Sequence, residues 1–400
     1  MSLLDAAERF ASLDRSQVVL DSKACLHAQD LNSSCRACIE VCPVAAIAFD
    51  KSITLNSETC QGCLACLPVC PVGAIQADDD VASLLTCVTH IEDKTVELLC
   101  GLHPKPDTGT RHDLVGVRIG ACLAGLGSAA YLSLAALGLE HIILRSDACD
   151  ACKWAALKPE IEKQADHANH FLAAWNKNDP VVCLDQIETA LERALWDAKN
   201  PPLSRRDLFR MLGRQGQVSM ARAMENGVRT SERKPGRNRL RLVAAVAHLP
   251  EPVTPAAVDL EGFGFATLQI NADCTACGAC GKTCPTTALR FEKDADLTTF
   301  KILFSARSCI GCDLCLNVCA PDALELDHNP TFENIFVTQA DAVVLTGELT
   351  RCEKCKTVMA ARPGVRLCML CEYRKTHPFG SILPADLKAQ YKKTDRELRS

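Results

Sequence analysis

Aromatic residues are scarce in this chain, at 4% of 400 residues, which removes the stacking surface that a single-stranded nucleic-acid binder needs. Net charge is small and of the wrong sign for a phosphate-binding face: 44 Lys and Arg against 49 Asp and Glu leave −5. No nucleic-acid partner is expected. The amino terminus, Met-Ser-Leu-Leu-Asp-Ala-Ala-Glu-Arg-Phe, carries charges where an export signal needs an apolar run, so a cytoplasmic location is expected. One uncharged run, Ile119 to Leu139, is long enough to span a bilayer. Gly125, Gly127 and Ser128 interrupt it and alanine outweighs leucine, so it reads as a strand end, a turn and a buried helix, not a membrane span. No G-x-G-x-x-G follows a predicted strand, which argues against a Rossmann-type flavin or nicotinamide fold. The histidines do not cluster with spaced carboxylates; His90, His103 and His112 read as ordinary polar surface groups. No catalytic residue is expected.

Cysteine is what the chain has in excess, with 26 residues. In a long chain with C-x2-C spacings, this reads as metal ligation in a reducing compartment and not as a disulfide framework. The most regular stretch is Cys274-Thr-Ala-Cys277-Gly-Ala-Cys280-Gly-Lys-Thr-Cys284-Pro285, followed by Cys309-Ile-Gly-Cys312-Asp-Leu-Cys315-Leu-Asn-Val-Cys319-Ala-Pro321. Two-residue gaps let a loop curl until three sulfurs converge on one 4Fe–4S cube, and the fourth thiolate of each copy serves the other cube. The spacing predicts Cys274, Cys277, Cys280 with Cys319, and Cys309, Cys312, Cys315 with Cys284. It also predicts that each fourth cysteine starts a helix. The stretch resembles bacterial two-cluster ferredoxins.

A second pair of motifs lies near the amino terminus: Cys25, Cys35, Cys38, Cys42-Pro43 and Cys60-Gln-Gly-Cys63-Leu-Ala-Cys66-Leu-Pro-Val-Cys70-Pro71. Each closes on an apolar segment, Val-Ala-Ala-Ile or Val-Gly-Ala-Ile, expected to start a helix. Crossed ligation would join Cys25, Cys35 and Cys38 with Cys70, and Cys60, Cys63 and Cys66 with Cys42. The copy departs from the pattern between Cys25 and Cys35, where an inserted loop, Leu26 to Ser34, must return the chain to its cube; the alternative is a lost first ligand. Ahead of it, Leu3, Leu4, Ala7 and Phe10 mark a short amphipathic helix.

Between these pairs the texture changes. Strands are predicted at Val96–Cys100, Val115–Cys122, His141–Leu144 and Val181–Leu184, and helices at Gly127–Leu137 and through Ile161, Ala165, Ala168, Leu172 and Trp175. A further helix is predicted through Ile187, Leu191 and Leu195. Alternating strands and helices imply a parallel sheet, with Cys100, Cys122, Cys149 and Cys152 gathered at the carboxyl ends of its strands. These four are candidate ligands of a 2Fe–2S cluster; the alternatives are core thiols or a Cys149–Cys152 dithiol. On Leu-Leu-Cys100, Arg-Ile-Gly-Ala-Cys122 and Cys149-Asp-Ala-Cys152, the segment resembles the iron–sulfur delta subunit of methyl-viologen-reducing hydrogenases.

Eleven Lys or Arg against three acids between Ser204 and Arg241, bounded by prolines, read as a basic connector or a docking segment for an acidic partner; Phe209, Met211 and Leu212 suggest an amphipathic helix there. Beyond a strand at Val343, Cys352-Glu-Lys-Cys355 and Cys368-Met-Leu-Cys371 form two knuckles whose four thiolates suit a structural zinc, with a rubredoxin-type iron as the alternative. Cys87 and Cys183 are left over and read as buried thiols.

The expected fold class is α+β multidomain: two ferredoxin-like dicluster units, a small α/β parallel-sheet domain between them, and a carboxyl-terminal zinc ribbon. The expected segments are 1–80, 81–199, 200–261 (the connector), 262–330 and 331–400. The chain then reads as a polyferredoxin-type, anaerobic electron-transfer subunit with four 4Fe–4S clusters, a 2Fe–2S cluster and a zinc ion. Its expected partners are catalytic and flavin-containing redox subunits and a soluble electron carrier. The rivals are an oxidoreductase with its own substrate site in the middle domain and a metal-dependent regulator.

Overall fold

The computed structural model describes residues 18–30, 33–202, 217, 219–220, 233–337 and 341–377. The amphipathic helix expected before residue 18, the segment around Phe209 to Leu212 and the charged tail lie outside the described residues. The chain divides into two compact units, one of residues 1–263 with 331–336, the other of 264–330 with 337–400.

The first unit opens with two antiparallel pairings that frame the cysteine loops. Val19–Leu20 pairs antiparallel with Ile75–Gln76, and Ile47–Phe49 with Ile53–Leu55. The predicted parallel sheet follows, with five strands in the spatial order Leu195–Asp197, Gly116–Arg118, Thr95–Leu99, His141–Arg145, Val181–Leu184. Its central strand Thr95–Leu99 is buried on both faces, with Val96, Leu98 and Leu99 in the core and Glu97 as its one charged residue. The helix Lys158–Ala173 packs beside the strand Val181–Leu184 and buries Ile161, Ala165, Ala168 and Leu172, and Ser128–Ala136 packs against that helix. The uncharged run is a turn at Leu123–Gly125 and the Ser128–Ala136 helix. Among the described residues no helix is long and apolar enough to cross a membrane.

Two expectations fail here. The helix predicted through Ile187, Leu191 and Leu195 is extended chain: Leu191–Glu192 pairs with Thr108–Gly109, and Leu195–Asp197 closes one sheet edge. Between them Arg193 reaches into the core and meets the fully buried Glu97 at 3.0 Å. With Arg145, Arg193 compensates the charge of this buried carboxylate, and that pairing outweighs a weak helical periodicity. His103 is no surface group either: it is buried, with Nε2 3.2 Å from Asp147 Oδ1.

Within the basic stretch, Arg237–Val246 is a helix that buries Leu242, Ala245 and Val246. Arg237 and Arg241 both bind the Asp79 carboxylate, at 2.6 and 2.8 Å, and Asn238 Oδ1 accepts the Ala129 N–H at 3.1 Å. The helix therefore ties the cysteine-loop segment to the sheet domain. Burial alone would raise the Asp79 pKa; the two arginines overcome it and hold the carboxyl below its ordinary 3.8. Its stabilising contribution is thus complete above the ordinary value and is lost as pH falls through the depressed folded value. Asp79→Ala removes the buried carboxylate that Arg237 and Arg241 share and is expected to cost about 3–5 kcal/mol. Anaerobic chemical denaturation of the full chain checks this; a loss below about 1 kcal/mol, the range of an exposed pair, contradicts it.

The second unit repeats the plan. Thr267–Ile270 pairs antiparallel with Leu324–Asp327, and Leu289–Lys293 with Thr299–Phe304. This second hairpin is extended by Ala342–Arg351 and Val358–Ala360 into a four-stranded antiparallel sheet. Its core contains Leu268, Leu289, Phe300, Ile302 and Phe304 together with Cys280, Cys284 and Cys309.

Candidate iron–sulfur and metal sites

The ligand loops owe their shape to left-handed residues at repeated positions. Gly62 and Leu64, Ala276 and Gly278, and Gly311 and Asp313 flank the second cysteine of three loops, all with positive φ. This curl lets three thiols of a short loop face one point. Another positive φ falls three residues after every fourth cysteine, at Ala45, Gly73, Thr287 and Asp322. It turns the next amide back toward the sulfur: the N–H of Ala46, Ala74 and Ala323 donates to Sγ of Cys42, Cys70 and Cys319, each at 3.2 Å. Such donors tune a bound centre.

Each fourth cysteine follows a short helix instead of starting one, contrary to expectation. Ala279–Thr283 ends at Cys284, Cys66–Val69 at Cys70, Ala37–Glu40 lies before Cys42 and Leu314–Asn317 before Cys319. The apolar segments after Cys42 and Cys70 turn and enter the strands Ile47–Phe49 and Ile75–Gln76. The left-handed residue three positions after each of these cysteines, at Ala45, Gly73, Thr287 and Asp322, breaks any helix that would start there.

The structure brings the thiols together in crossed sets. Burial pushes Cys38 up to about 12, and the charges of Cys70, Cys35 and Cys25 add to it. Burial likewise raises Cys63, with Cys42 and Cys60 contributing, and Cys66 to about 12, with Cys63 and Cys60 contributing. In the second unit burial raises Cys280 to about 12, helped by Cys277, Cys274 and Cys319, while Cys315 is raised by burial, then by Cys309, Cys312 and Cys284. A small pocket is lined by Cys274, Cys277, Cys280 and Cys319 with Phe291, Ile302 and Leu324. Buried thiols that repel one another, amides aimed at sulfur and an apolar cavity walled by four of them form a donor set that fits an iron–sulfur cluster.

The irregular first loop is closed differently. No residue from Cys35 to Cys42 has a positive φ. Cys25 instead sits at the start of a short helix, Leu26–Gln29, formed by the insertion. His27 from that helix stacks on Phe49, with ring centroids 4.0 Å apart, and its Nε2 is 2.7 Å from the Cys35 carbonyl. That contact returns Cys25 to Cys35. Sequence reasoning missed it, because a single histidine two residues after a cysteine carries no local signal.

The four middle cysteines also converge. Cys100 directly follows the strand Thr95–Leu99, Cys122 lies beyond Gly116–Arg118, and Cys149 and Cys152 flank a turn after His141–Arg145. The chain leaves Thr95–Leu99 for a neighbour on one side and then one on the other, so these carboxyl ends surround the switch point of the sheet, where ligands of such sheets bind. Burial raises Cys149 to about 12, with Cys100 and Cys152 adding to it. Beneath them Arg145 donates from Nε to Asp147 at 2.8 Å and from Nη1 to Glu97 at 3.4 Å. Cys87 is fully buried in the helix Val81–Val88, and Cys183 is half-buried in the strand Val181–Leu184; neither belongs to a set.

Cys352, Cys355, Cys368 and Cys371 differ in scale. Their sulfurs all lie within 4.8 Å of one another, the one such group among the described residues. Cys355 and Cys368 are 3.6 Å apart; a tetrahedral ion bound at about 2.3 Å needs roughly 3.8 Å. The N–H groups of Cys355, Cys368 and Lys354 pull Cys352 down to about 6, while burial pushes Cys371 up to about 12. The group suits a single ion, whereas the other sets are spread more widely, as a cluster needs.

Residues 32–81 match the LdpA Fe-S cluster-binding domain and residues 273–323 a 4Fe-4S dicluster domain. The first match runs through Cys35 to Cys70 and leaves out Cys25; the second takes in Cys274 to Cys319. No curated protein matches the chain. The chain therefore carries iron–sulfur-binding domains, one of them a 4Fe–4S dicluster domain, and with them an electron-transfer character.

Proposed function

We propose that the chain is a polyferredoxin-type electron-transfer subunit. In this reading it relays single electrons between a catalytic oxidoreductase partner (a hydrogenase, a formate dehydrogenase or a flavin-containing reductase) and a soluble low-potential carrier, in an anaerobic setting. The observation that carries the reading is the crossed gathering of sixteen thiols into four sets, two in each unit. The proposed ligand sets are Cys25, Cys35, Cys38, Cys70; Cys42, Cys60, Cys63, Cys66; Cys274, Cys277, Cys280, Cys319; and Cys284, Cys309, Cys312, Cys315. A 4Fe–4S cube held by four cysteines supplies one-electron exchange with no open coordination position. The chain's own residues supply burial, amide donors to sulfur and a fixed order of sites.

Two finer assignments belong to the same reading. Cys100, Cys122, Cys149 and Cys152 would hold a 2Fe–2S cluster, and Cys352, Cys355, Cys368 and Cys371 a structural zinc in a ribbon. Anaerobically purified protein is expected to hold about sixteen irons in cubes, about two more at the middle site, and about one zinc. Iron and zinc analysis checks this; about eight irons or fewer after reconstitution overturn the four-cube reading. Turnover assayed with and without co-purifying subunits tests the role, since substrate conversion by the chain alone would make it an enzyme in its own right.

A further inference from the structure

The segment that carries Cys60, Cys63 and Cys66 is pressed against the middle cysteines at three successive points. Trp154, two residues past Cys152, donates its indole N–H to Gln61 Oε1 at 2.9 Å. Gly125, three residues past Cys122, lies so close to the next turn that a Cβ there would stand 3.0 Å from Leu64 Cβ and 3.3 Å from the Cys63 carbonyl oxygen. Gly127 begins the helix Ser128–Ala136 with φ +80, and a Cβ on it would be 2.6 Å from Pro68, inside the helix that carries Cys66. Only glycine permits both approaches: a side chain at Gly125 needs the Leu64 turn to move, and one at Gly127 is strained as well as crowded. Cys122 is raised to about 12 by burial, then by Cys100, Cys149 and, across this seam, Cys63. Helix Arg237–Val246 locks the two sides from behind through Asp79 and Ala129.

We propose that this seam couples the middle four-cysteine site directly to the site of Cys42, Cys60, Cys63 and Cys66, so that the first unit contains one continuous wire of three sites. The inference rests on the reading that the middle cysteines hold a redox cluster. The order is Cys25–Cys35–Cys38–Cys70, then Cys42–Cys60–Cys63–Cys66, then Cys100–Cys122–Cys149–Cys152. Because electron transfer weakens steeply with distance, backbone contact between two ligand turns is the arrangement that makes exchange between these two sites fast. One electron is lost at the Cys63 site and gained at the Cys122 site. The electron is supplied by a one-electron reductant of the ferredoxin class, and no bond or proton is transferred.

The test is electron paramagnetic resonance of the full chain, reduced anaerobically with dithionite, with iron content measured in parallel. The middle-site signal is expected to relax several-fold faster when the Cys63 site is also reduced. Cys63→Ala should abolish this acceleration, whereas Cys35→Ala, which damages only the far site, should leave it. Gly125→Val, which pushes the turns apart, should weaken it at unchanged iron content, and it serves where Cys63→Ala does not fold. A middle signal whose relaxation ignores the Cys63 site overturns the coupling and leaves the cluster reading standing. No middle signal at all, with iron accounted for by the cubes, overturns both.

Discussion

Cys284→Ala is expected to abolish the cluster signal at Cys309, Cys312 and Cys315 while the one at Cys274, Cys277 and Cys280 survives. Cys284 is four residues from Cys280 and would, on local grounds, belong to its own loop. It lies instead at the far end of the helix Ala279–Thr283, and its charge acts on Cys312 and Cys315. The cavity bounded by Cys274, Cys277 and Cys280 takes its fourth cysteine from Cys319. A cube left with three thiolates has an open iron and loses stability, so the effect should be near-total at one site. Paramagnetic resonance of the reduced protein resolves the two; a loss confined to the Cys274 loop's cube refutes crossed ligation. Cys319→Ala should give the mirror result.

Metal removal from the Cys352–Cys371 group is expected to unfold its two knuckles. Its core among the described residues is small: Cys352, Met359 and Cys371, with Leu367 and Cys368 packed against it. So little apolar burial cannot hold two knuckles together, and a structural zinc in such a setting supplies about 10–16 kcal/mol of apparent binding energy that becomes folding energy. Cys371→Ala should therefore make the knuckles susceptible to proteolysis while the ferredoxin-like signals persist. Loss of a visible iron–thiolate absorption in that variant would show iron in place of zinc.

The motifs were legible because cluster ligation needs several residues at short, invariant offsets. Cys309-Ile-Gly-Cys312-Asp-Leu-Cys315 shows its chemistry without any knowledge of the fold. The parallel sheet was legible for a similar reason: Val181–Leu184 and His141–Arg145 are runs of branched and apolar residues with strand propensity of their own. The helix predicted through Leu191 and Leu195 failed because a distant, buried Glu97 decides the conformation around Arg193. His103 was misplaced because burial depends on Asp147, forty-four residues away.

By itself, then, the sequence determined where the cysteine groups lie and which thiols each can offer, since those depend on local spacing and on the chemistry of sulfur. Tertiary structure alone decided which sites are neighbours. The Gln61–Trp154 hydrogen bond, the bare glycines at Leu64 and Pro68 and the Asp79–Arg241 pair join residues 93, 61, 59 and 162 positions apart. No periodicity or motif encodes such contacts, because each depends on the packing of elements whose positions are set only when the whole unit has folded.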